Sequence, residues 1–452
     1  MQSIHNEEIE AGADIALTKH LVFLEFKTGF RRKPIQADLG VITREISLAC
    51  EALEMVFRAS SEHVAKSFNR VGRELLQVLV TLIDEEVKTR LQASSPNVSP
   101  EAGPQNNQQD TTSDNGQAKD PPDGSRSVTP PLERSSWGAG SYDRDILLNK
   151  AAKILGHFAR VGEATGAIAH FPGLLGSVLN LINLRPFDAV PWEARLSCLW
   201  TIANLACNTD NMQMMICVPG LVNSLVSVGS RPLQQYDSLE TTMEVLRSRS
   251  IASRALLNLS WPPENKIPLA ENIALIQILA YLAVAREFPY SRSKTIQEVM
   301  NQTRRHALGA FRNLAAAPRR SKIGLCEYDG GKILDILTDA ALNDSDETVK
   351  DLALAAIHNL AIHDTAEMMV DRPALILALK NALASEDEEV GLKGIKNTPR
   401  SHASSTLLVL ERSITPDMDR YDNLRGLIEA AHPSEPVVDD SDDLDAIDTT
   451  EV

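Results

Sequence analysis

The residues whose types and spacing could do chemistry are asparagines that recur near the ends of four apolar, helix-like segments. They are Asn204, Asn258, Asn313 and Asn359. A carboxamide offers one acceptor and two donors, which suits it to binding a peptide unit. The same side chain can instead bond the end of its own helix or a neighbouring turn. The residue type by itself leaves both roles open.

Motifs of catalysis and metal binding do not occur in the sequence. It contains no phosphate-binding G-x-x-x-x-G-K-[ST] loop, no H-E-x-x-H and no G-x-S-x-G. The ten histidines are scattered, and His358 and His363 lack a surrounding set of cysteines and carboxylates. The pair Gly330–Gly331 is better explained as an interhelical turn than as a phosphate loop. We therefore expect a protein that is not an enzyme and needs neither cofactor nor metal.

Composition and charge narrow the class of protein further. The 452 residues are 43% apolar but only 4% aromatic, which favours close helix–helix contacts over β-sandwiches or barrels. The net charge of −16 disfavours a nucleic-acid coat or an anionic-membrane binder but allows a local basic groove. Charged residues interrupt the longest apolar stretch, residues 17–30, and the five cysteines lack Cys-x-x-Cys spacing. We expect a soluble protein of the cytoplasm, the nucleus or both, without direct membrane or nucleic-acid binding.

The four asparagine-bearing segments align with one another as helices. Small residues stand six and three positions before the Asn, and large apolar residues stand two before it and one after it. Around Asn258 these positions hold Ala252, Ala255, Leu256 and Leu259. Small and large residues thus alternate on one helical face, which lets neighbouring helices approach closely.

A glycine signal follows these helices. Gly220 lies fifteen residues after the apolar anchor Leu205 and begins a second apolar helix, and the same spacing predicts helix starts at Gly72 and Gly173 in two weaker units. A further weak unit lies at SSTLLVLERS. The two longest steps between anchors predict inserts near residues 230–247 and 286–303.

This recurring unit resembles the armadillo repeat. The pattern is an A-x-x-x-L-x-N-L helix, a glycine, and a G-h-h-x-x-L-h-x-L helix in which h is apolar. The resemblance covers about residues 37–91 and 141–432. It implies an all-α fold, an armadillo-type α-solenoid, in which repeats of two or three helices stack into a right-handed superhelix with a long concave surface.

The predicted organisation has five parts. They are an N-terminal helical or cap segment (1–36), a degenerate first repeat (37–91), a disordered Pro/Ser-rich linker (92–140), the solenoid (141–432) and an acidic disordered tail (433–452). The linker and the tail hold too few large apolar residues to offset the entropy of ordering. The first unit lacks the Asn, so it is either a degenerate repeat or a helical cap.

The resemblance also implies where a partner binds. In armadillo-family proteins the third helix lines the concave groove, and its Asn hydrogen-bonds the backbone of an extended peptide. Helical periodicity places the residues four, seven and eleven positions before each Asn on the same face. The predicted groove residues are Trp200, Asn204, Arg247, Arg254, Asn258, His306, Asn313 and Asn359. The leading interpretation is a scaffold that binds an extended or amphipathic segment of another protein.

The alternative function is a nuclear-transport cargo adaptor. Trp200-x-x-x-Asn204 is similar to the Trp–Asn pair of importin-alpha, in which the Trp packs a lysine stem. The equivalent Trp positions here hold Arg254, Gly309 and Ala355, and Arg254 would repel a lysine-rich signal. A groove of net positive charge favours acidic or amphipathic partners.

The acidic segment VVDDSDDLDAIDTTEV, residues 437–452, has two interpretations. It either only keeps an apolar solenoid soluble, or it also occupies the groove weakly against Arg247 and Arg254.

Overall fold

The computed structural model describes residues 61–94, 140–185, 190–233, 238–284, 293–384, 398–413 and 425–426. Throughout these ranges the regular structure is helical, and none of their residues forms a strand. This confirms the all-α prediction. The predictions for residues 1–36 and 433–452 lie outside the described residues, as does most of the linker predicted at 92–140. The edges of that linker are helical and not disordered, because residues 92–94 end one helix and residue 140 begins another.

The described helices follow one another with short connections. In chain order they are α1 (Ser61–Ser94), α2 (Gly140–Phe158), α3 (Gly162–Ala169), α4 (Leu174–Asn183), α5 (Trp192–Leu205), α6 (Thr209–Ile216), α7 (Leu221–Gly229), α8 (Leu239–Leu259), α9 (Pro263–Ala270), α10 (Ile273–Val284), α11 (Lys294–Ala315), α12 (Arg319–Glu327), α13 (Lys332–Asn343), α14 (Glu347–Leu360), α15 (His363–Val370), α16 (Pro373–Ala384) and α17 (Pro399–Ser413).

From α2 onward the helices form three parallel layers. The long helices α2, α5, α8, α11, α14 and α17 pack each against the next, and four of them, α5, α8, α11 and α14, carry the recurring Asn. The short helices α3, α6, α9, α12 and α15 form a second layer, and α4, α7, α10, α13 and α16 form a third. A single apolar core extends from Leu76 to Leu410. Because each unit buries its apolar face only against its neighbours, the fold is a stack of repeats.

Three glycines begin the third-layer helices as the sequence predicts. Gly173, Gly220 and Gly331 precede α4, α7 and α13 with φ of +80°, +80° and +98°. A side chain is strained in this left-handed conformation, so glycine lets the chain turn sharply between the second and third layers. The glycine signal is therefore a backbone requirement at these positions.

The predicted helix start at Gly72 is wrong. A single 34-residue helix, α1, runs through this position from Ser61 to Ser94. Helix α1 packs across both α2 and α4 and so covers the exposed end of the stack. A glycine inside a helix costs only about 1 kcal/mol relative to alanine, which this packing can outweigh. Residues 37–60 lie outside the described residues.

The second half of each predicted insert, residues 239–247 and 294–303, is helical. Helices α8 and α11 have 21 and 22 residues, compared with 14 in α5 and in α14. Their additional turns bury Leu246, Ile296 and Met300 in a small apolar cluster separate from the main core. The additional residues thus lengthen one pair of neighbouring long helices.

Candidate functional site

The recurring asparagines join neighbouring long helices, and we call these contacts the amide rungs. In each rung, the Asn side-chain nitrogen Nδ2 donates to a backbone carbonyl of the preceding long helix. The distances are 3.4 Å from Asn204 to Gly156, 3.3 Å from Asn258 to Ala203, 3.2 Å from Asn313 to Leu257 and 3.0 Å from Asn359 to Arg312. The donor side of each carboxamide therefore serves the fold itself.

The acceptor side of the amides differs from rung to rung. Asn313 is buried and fully engaged: its Nδ2 also donates to the Ser260 hydroxyl at 3.1 Å, and its Oδ1 accepts from Arg312 at 3.3 Å. Within the described ranges, the Oδ1 atoms of Asn204, Asn258 and Asn359 accept no hydrogen bond. Three of the four predicted asparagines thus keep an acceptor for the N–H of a ligand.

Three of the predicted groove residues, Trp200, Asn204 and Arg254, meet in one cavity. It has a volume of about 380 Å³, lies across α2, α5 and α8, and falls within the usual size range of ligand pockets. It is lined by Lys153, Gly156, His157, Arg160, Ser197, Trp200, Asn204 and Arg254. None of these lining residues is acidic, so the cavity is locally basic in a chain of net charge −16.

Arg254 and Trp200 form a stacked pair inside this cavity. The guanidinium carbon of Arg254 lies 5.1 Å from the centroid of the Trp200 ring, which is a cation–π distance. One guanidinium nitrogen also donates to the Cys207 sulfur at 3.6 Å. Trp200 remains 38% exposed, so the stacked pair does not close the cavity.

Sequence reasoning missed Lys153, His157 and Arg160. Lys153 and His157 belong to α2, which lacks the Asn, and Arg160 lies just after the end of this helix. A signal was present, because Lys153 and His157 stand 47 residues before Trp200 and Asn204, which is one repeat step. Shifting the predicted groove positions back by one repeat would have found both.

The remaining predicted groove residues do not reach the cavity. Arg247 is exposed on α8, seven residues before Arg254, and does not line it. His306 turns toward α8, where its Nδ1 lies 3.1 Å from the Ser250 carbonyl oxygen and 3.4 Å from the Ser253 hydroxyl. Burial lowers the pKa of His306 to about 4. The imidazole is therefore neutral at pH 7 and adds no charge to the groove.

Two further asparagines that sequence reasoning missed tie the short helices to their neighbours. The fully buried Asn211 and Asn265 stand seven positions after Asn204 and Asn258. Asn211 donates to the carbonyls of Leu205 and of Thr165 in the preceding repeat, at 3.1 and 3.2 Å. The equal spacing in two repeats was a usable signal, and it marks a structural role.

Two histidines lie together at the far end of the long-helix face. The His358 and His402 rings, from α14 and α17, lie 5.6 Å apart between centroids. Burial lowers the pKa of both histidines and raises the pKa of Asp351 on α14. Among the described residues, His, Cys, Asp and Glu form no group of three or more that could hold a metal ion.

No individual helix in the described ranges combines the length and apolar character needed to cross a bilayer. Two sharply bent pairs, α6 with α7 and α9 with α10, meet those criteria only when taken together.

Comparison with known proteins bears on the fold. No family model matches the sequence, and no curated protein matches it. A chain from a structure of the phosphorylation-controlled interaction between cadherin and beta-catenin is 13% identical, with a TM-score of 0.52. The match covers 90% of this chain and 56% of that one.

Designed armadillo repeat proteins are also similar. One made for modular peptide recognition is 22% identical, with a TM-score of 0.45, and the match covers 58% of this chain and 93% of that one. Another, in complex with the peptide (KR)4, is 20% identical, with a TM-score of 0.44 and coverage of 60% and 95%. The three-layer stack, together with the similarity to the chain from the cadherin and beta-catenin structure, shows the fold: the chain is an armadillo-type α-solenoid.

Proposed function

We propose that this chain is a non-enzymatic interaction scaffold that binds an extended segment of a partner protein along its long helices. The observation that carries the proposal is the set of open acceptors on Asn204, Asn258 and Asn359. They recur once per repeat on one layer of helices, and an extended backbone has N–H groups that can reach such acceptors. The cavity beside Asn204 offers room for a side chain of the same segment.

The alternative, an importin-alpha-like cargo adaptor, is less well supported by the cavity. In that role Trp200 would pack against the stem of a cargo lysine. The guanidinium of Arg254 already stacks on the Trp200 ring, and Arg160 lines the same cavity. A basic cargo segment would meet like charges there, which disfavours its binding. Residence in the cytoplasm or the nucleus stays a prediction.

Two exposed cysteines provide a test of groove binding. The sulfur of Cys207 accepts from the Asn258 amide at 3.1 Å, so it lies beside an amide rung. Cys217 is also exposed but ends helix α6. Partners are captured from lysate on the full chain, and segments of the captured protein are then tested as synthetic peptides. A segment that binds the groove should slow alkylation of Cys207 and leave Cys217 unchanged.

Asparagine variants complete the test. Replacing both Asn204 and Asn258 with alanine should weaken binding of that segment by about tenfold or more, because two acceptors are lost. The matched control is Asn343→Ala, which removes an exposed amide that bonds only Asp339 on its own helix. If the double variant, shown to be folded, binds as tightly as the unmodified chain and Cys207 stays unprotected, the groove is not the binding surface.

A further inference from the structure

We infer that the cavity between α2, α5 and α8 is an anion-binding subsite, and that the partner segment is acidic with an apolar side chain beside its carboxylates. This inference rests on the proposed function and names the chemistry of the partner. Two side chains carry it, Arg160 from the turn just after α2 and Arg254 from α8, and both line the same cavity as Trp200 on α5. Trp200 is partly exposed and belongs to α5, which follows Arg160 and precedes Arg254 in the chain.

Arg254 is held in place without its charge being neutralised. Its guanidinium stacks on Trp200, and its one hydrogen bond within the described residues goes to the weak acceptor Cys207 Sγ. A guanidinium has five N–H donors in a rigid plane, so most of them remain available to a ligand. Planar donors of this kind match the two oxygens of a carboxylate. The stacking therefore preorganises the group that an acidic residue would bind.

Arg160 is exposed and has no carboxylate partner among the described residues. Several arginines elsewhere in those ranges do have one. The pairs are Arg90–Asp145, Arg231–Glu244, Arg304–Asp344, Arg305–Asp346, Arg319–Asp364 and Arg372–Asp335. None of the acidic residues in the described ranges lines this cavity. A concave site that gathers cations without carboxylates attracts anions by its local field, even in an acidic protein.

The apolar requirement comes from Trp200. An indole that is 38% exposed inside a cavity offers apolar surface next to the two guanidinium groups. A segment that alternates carboxylates with aliphatic side chains would satisfy both surfaces at once. A purely acidic segment would leave the indole uncovered, and a basic segment would meet Arg160 and Arg254.

The experiment compares three fluorescein-labelled peptides of equal length, built from the repeats Asp-Glu-Leu, Asn-Gln-Leu and Lys-Arg-Leu. Their binding to the full chain is measured by fluorescence anisotropy at low and at high salt, together with the alkylation rates of Cys207 and Cys217. We expect the acidic peptide to bind at least about tenfold more tightly than the other two at low salt. This preference should shrink as salt screens the charges.

Charge-reversal variants locate the binding. Replacing Arg160 and Arg254 with glutamate should weaken the acidic peptide by at least about tenfold. The control Arg320→Glu reverses an exposed arginine on α12, away from the cavity, and should stay within about threefold. The milder pair Arg160→Gln and Arg254→Gln repeats the test should the glutamate variant fail to fold.

The outcomes separate the two proposals. Equal binding of the acidic and neutral peptides, absence of acidic-peptide binding at low salt, or insensitivity to the Arg160 and Arg254 variants would overturn the anion-binding subsite. If the neutral or basic peptide still protects Cys207, the proposed function survives that result. Tighter binding of the Lys-Arg-Leu peptide would overturn the subsite and favour the cargo-adaptor alternative.

Discussion

The two halves of the long-helix face use the same asparagine in different ways. Between α2 and α8 the residue four positions before the Asn is large, Trp200 or Arg254, and a cavity opens beside it. Between α11 and α14 the equivalent residues are Gly309 and Ala355. A β-carbon on Gly309 would lie 2.9 Å from the side chain of Leu257 on α8, so a larger residue at this position would require that side chain to move. The Asn thus builds the rung in both halves, whereas the large residue one turn earlier occurs only beside the cavity.

If this comparison is right, substitutions in the α11–α14 half should change stability, whereas substitutions around the cavity should change binding. The largest effect is expected at Asp344, which forms a buried ion pair with Arg304 at 3.0 Å. Asp344→Ala removes the carboxylate and leaves a buried guanidinium, which should lower the free energy of unfolding by about 3–5 kcal/mol. Urea denaturation followed by circular dichroism measures this.

Asp335→Ala is the matched control, because Asp335 pairs with Arg372 but is itself 65% exposed. Its loss should cost at most about 1 kcal/mol. A comparable loss of unfolding free energy in both variants would show that the buried Arg304–Asp344 pair stabilises the fold no more than the exposed pair does.

The next effect is the pH dependence contributed by His306. Its pKa falls from an ordinary 6.5 to about 4 on folding because burial disfavours the charged ring. The unfolded chain therefore binds the proton more readily, and the stabilisation is present above pH 6.5 and lost as the pH falls toward 4. That loss amounts to roughly 3 kcal/mol. His306→Gln should flatten this part of the stability–pH profile from urea denaturation.

The control is Asn343→Ala, which removes an exposed amide and no titrating group, so it should leave the slope of the profile unchanged. The charged neighbours that lower the pKa of His306 are Arg254 and Arg305, which act with burial in the same direction. His358 and His402 titrate in the same direction, so part of the slope should persist in His306→Gln. An unchanged slope in His306→Gln would show that the imidazole is solvated.

A smaller effect is expected at the buried rung of Asn313. Asn313→Ala leaves the Leu257 carbonyl and the Ser260 hydroxyl without their shared donor, which should cost about 1–3 kcal/mol. The exposed Asn343→Ala should cost less than about 0.5 kcal/mol. Thermal unfolding of the two variants side by side measures the difference. Equal melting temperatures of the two variants would show that this rung does not stabilise the fold.

The smallest effect concerns the acidic segment 437–452. If it competes for the groove, truncation after His432 should tighten binding of the Asp-Glu-Leu peptide about two- to threefold at low salt. High salt should abolish the gain. Anisotropy titrations of the full and truncated chains provide the comparison. Equal affinities at low salt would leave the segment with a solubility role only.

Local signals in the sequence predicted the helices and their order. The starts at Gly173, Gly220 and Gly331 were predictable because a left-handed backbone requires glycine. Gly72 was not, because its conformation follows from the packing of α1 across two other helices. A glycine alone does not reveal which of these situations it is in.

The site was predictable only in part. Helical periodicity was enough to bring Trp200 next to Asn204, and the repeat step brought Arg254 beside them. The inward turn of His306 depends on the Ser250 carbonyl of another helix, which no pattern within α11 reports. The donor side of the asparagines was likewise hidden, because the acceptor carbonyls lie a full repeat away.

A buried arginine also recurs at one repeat position. Arg195 and Arg249 each stand nine positions before the Asn and are buried. Arg195 donates to carbonyls at the end of α4, and Arg249 donates to the Arg231 carbonyl just after α7. A buried arginine that recurs at one repeat position indicates a structural contact with backbone acceptors.

The amide rungs also determine how the molecule should respond to a pulling force. Each rung joins residues 47 to 56 positions apart and connects only adjacent long helices. Tension applied to the ends of the chain therefore loads the terminal rung first, and each rupture frees the chain between its two attachment points. At roughly 3.3–3.6 Å per residue, that is a lengthening of about 160–200 Å for each repeat. The length of the solenoid should therefore increase in nearly equal steps under force, as the repeats unfold one after another from the loaded end.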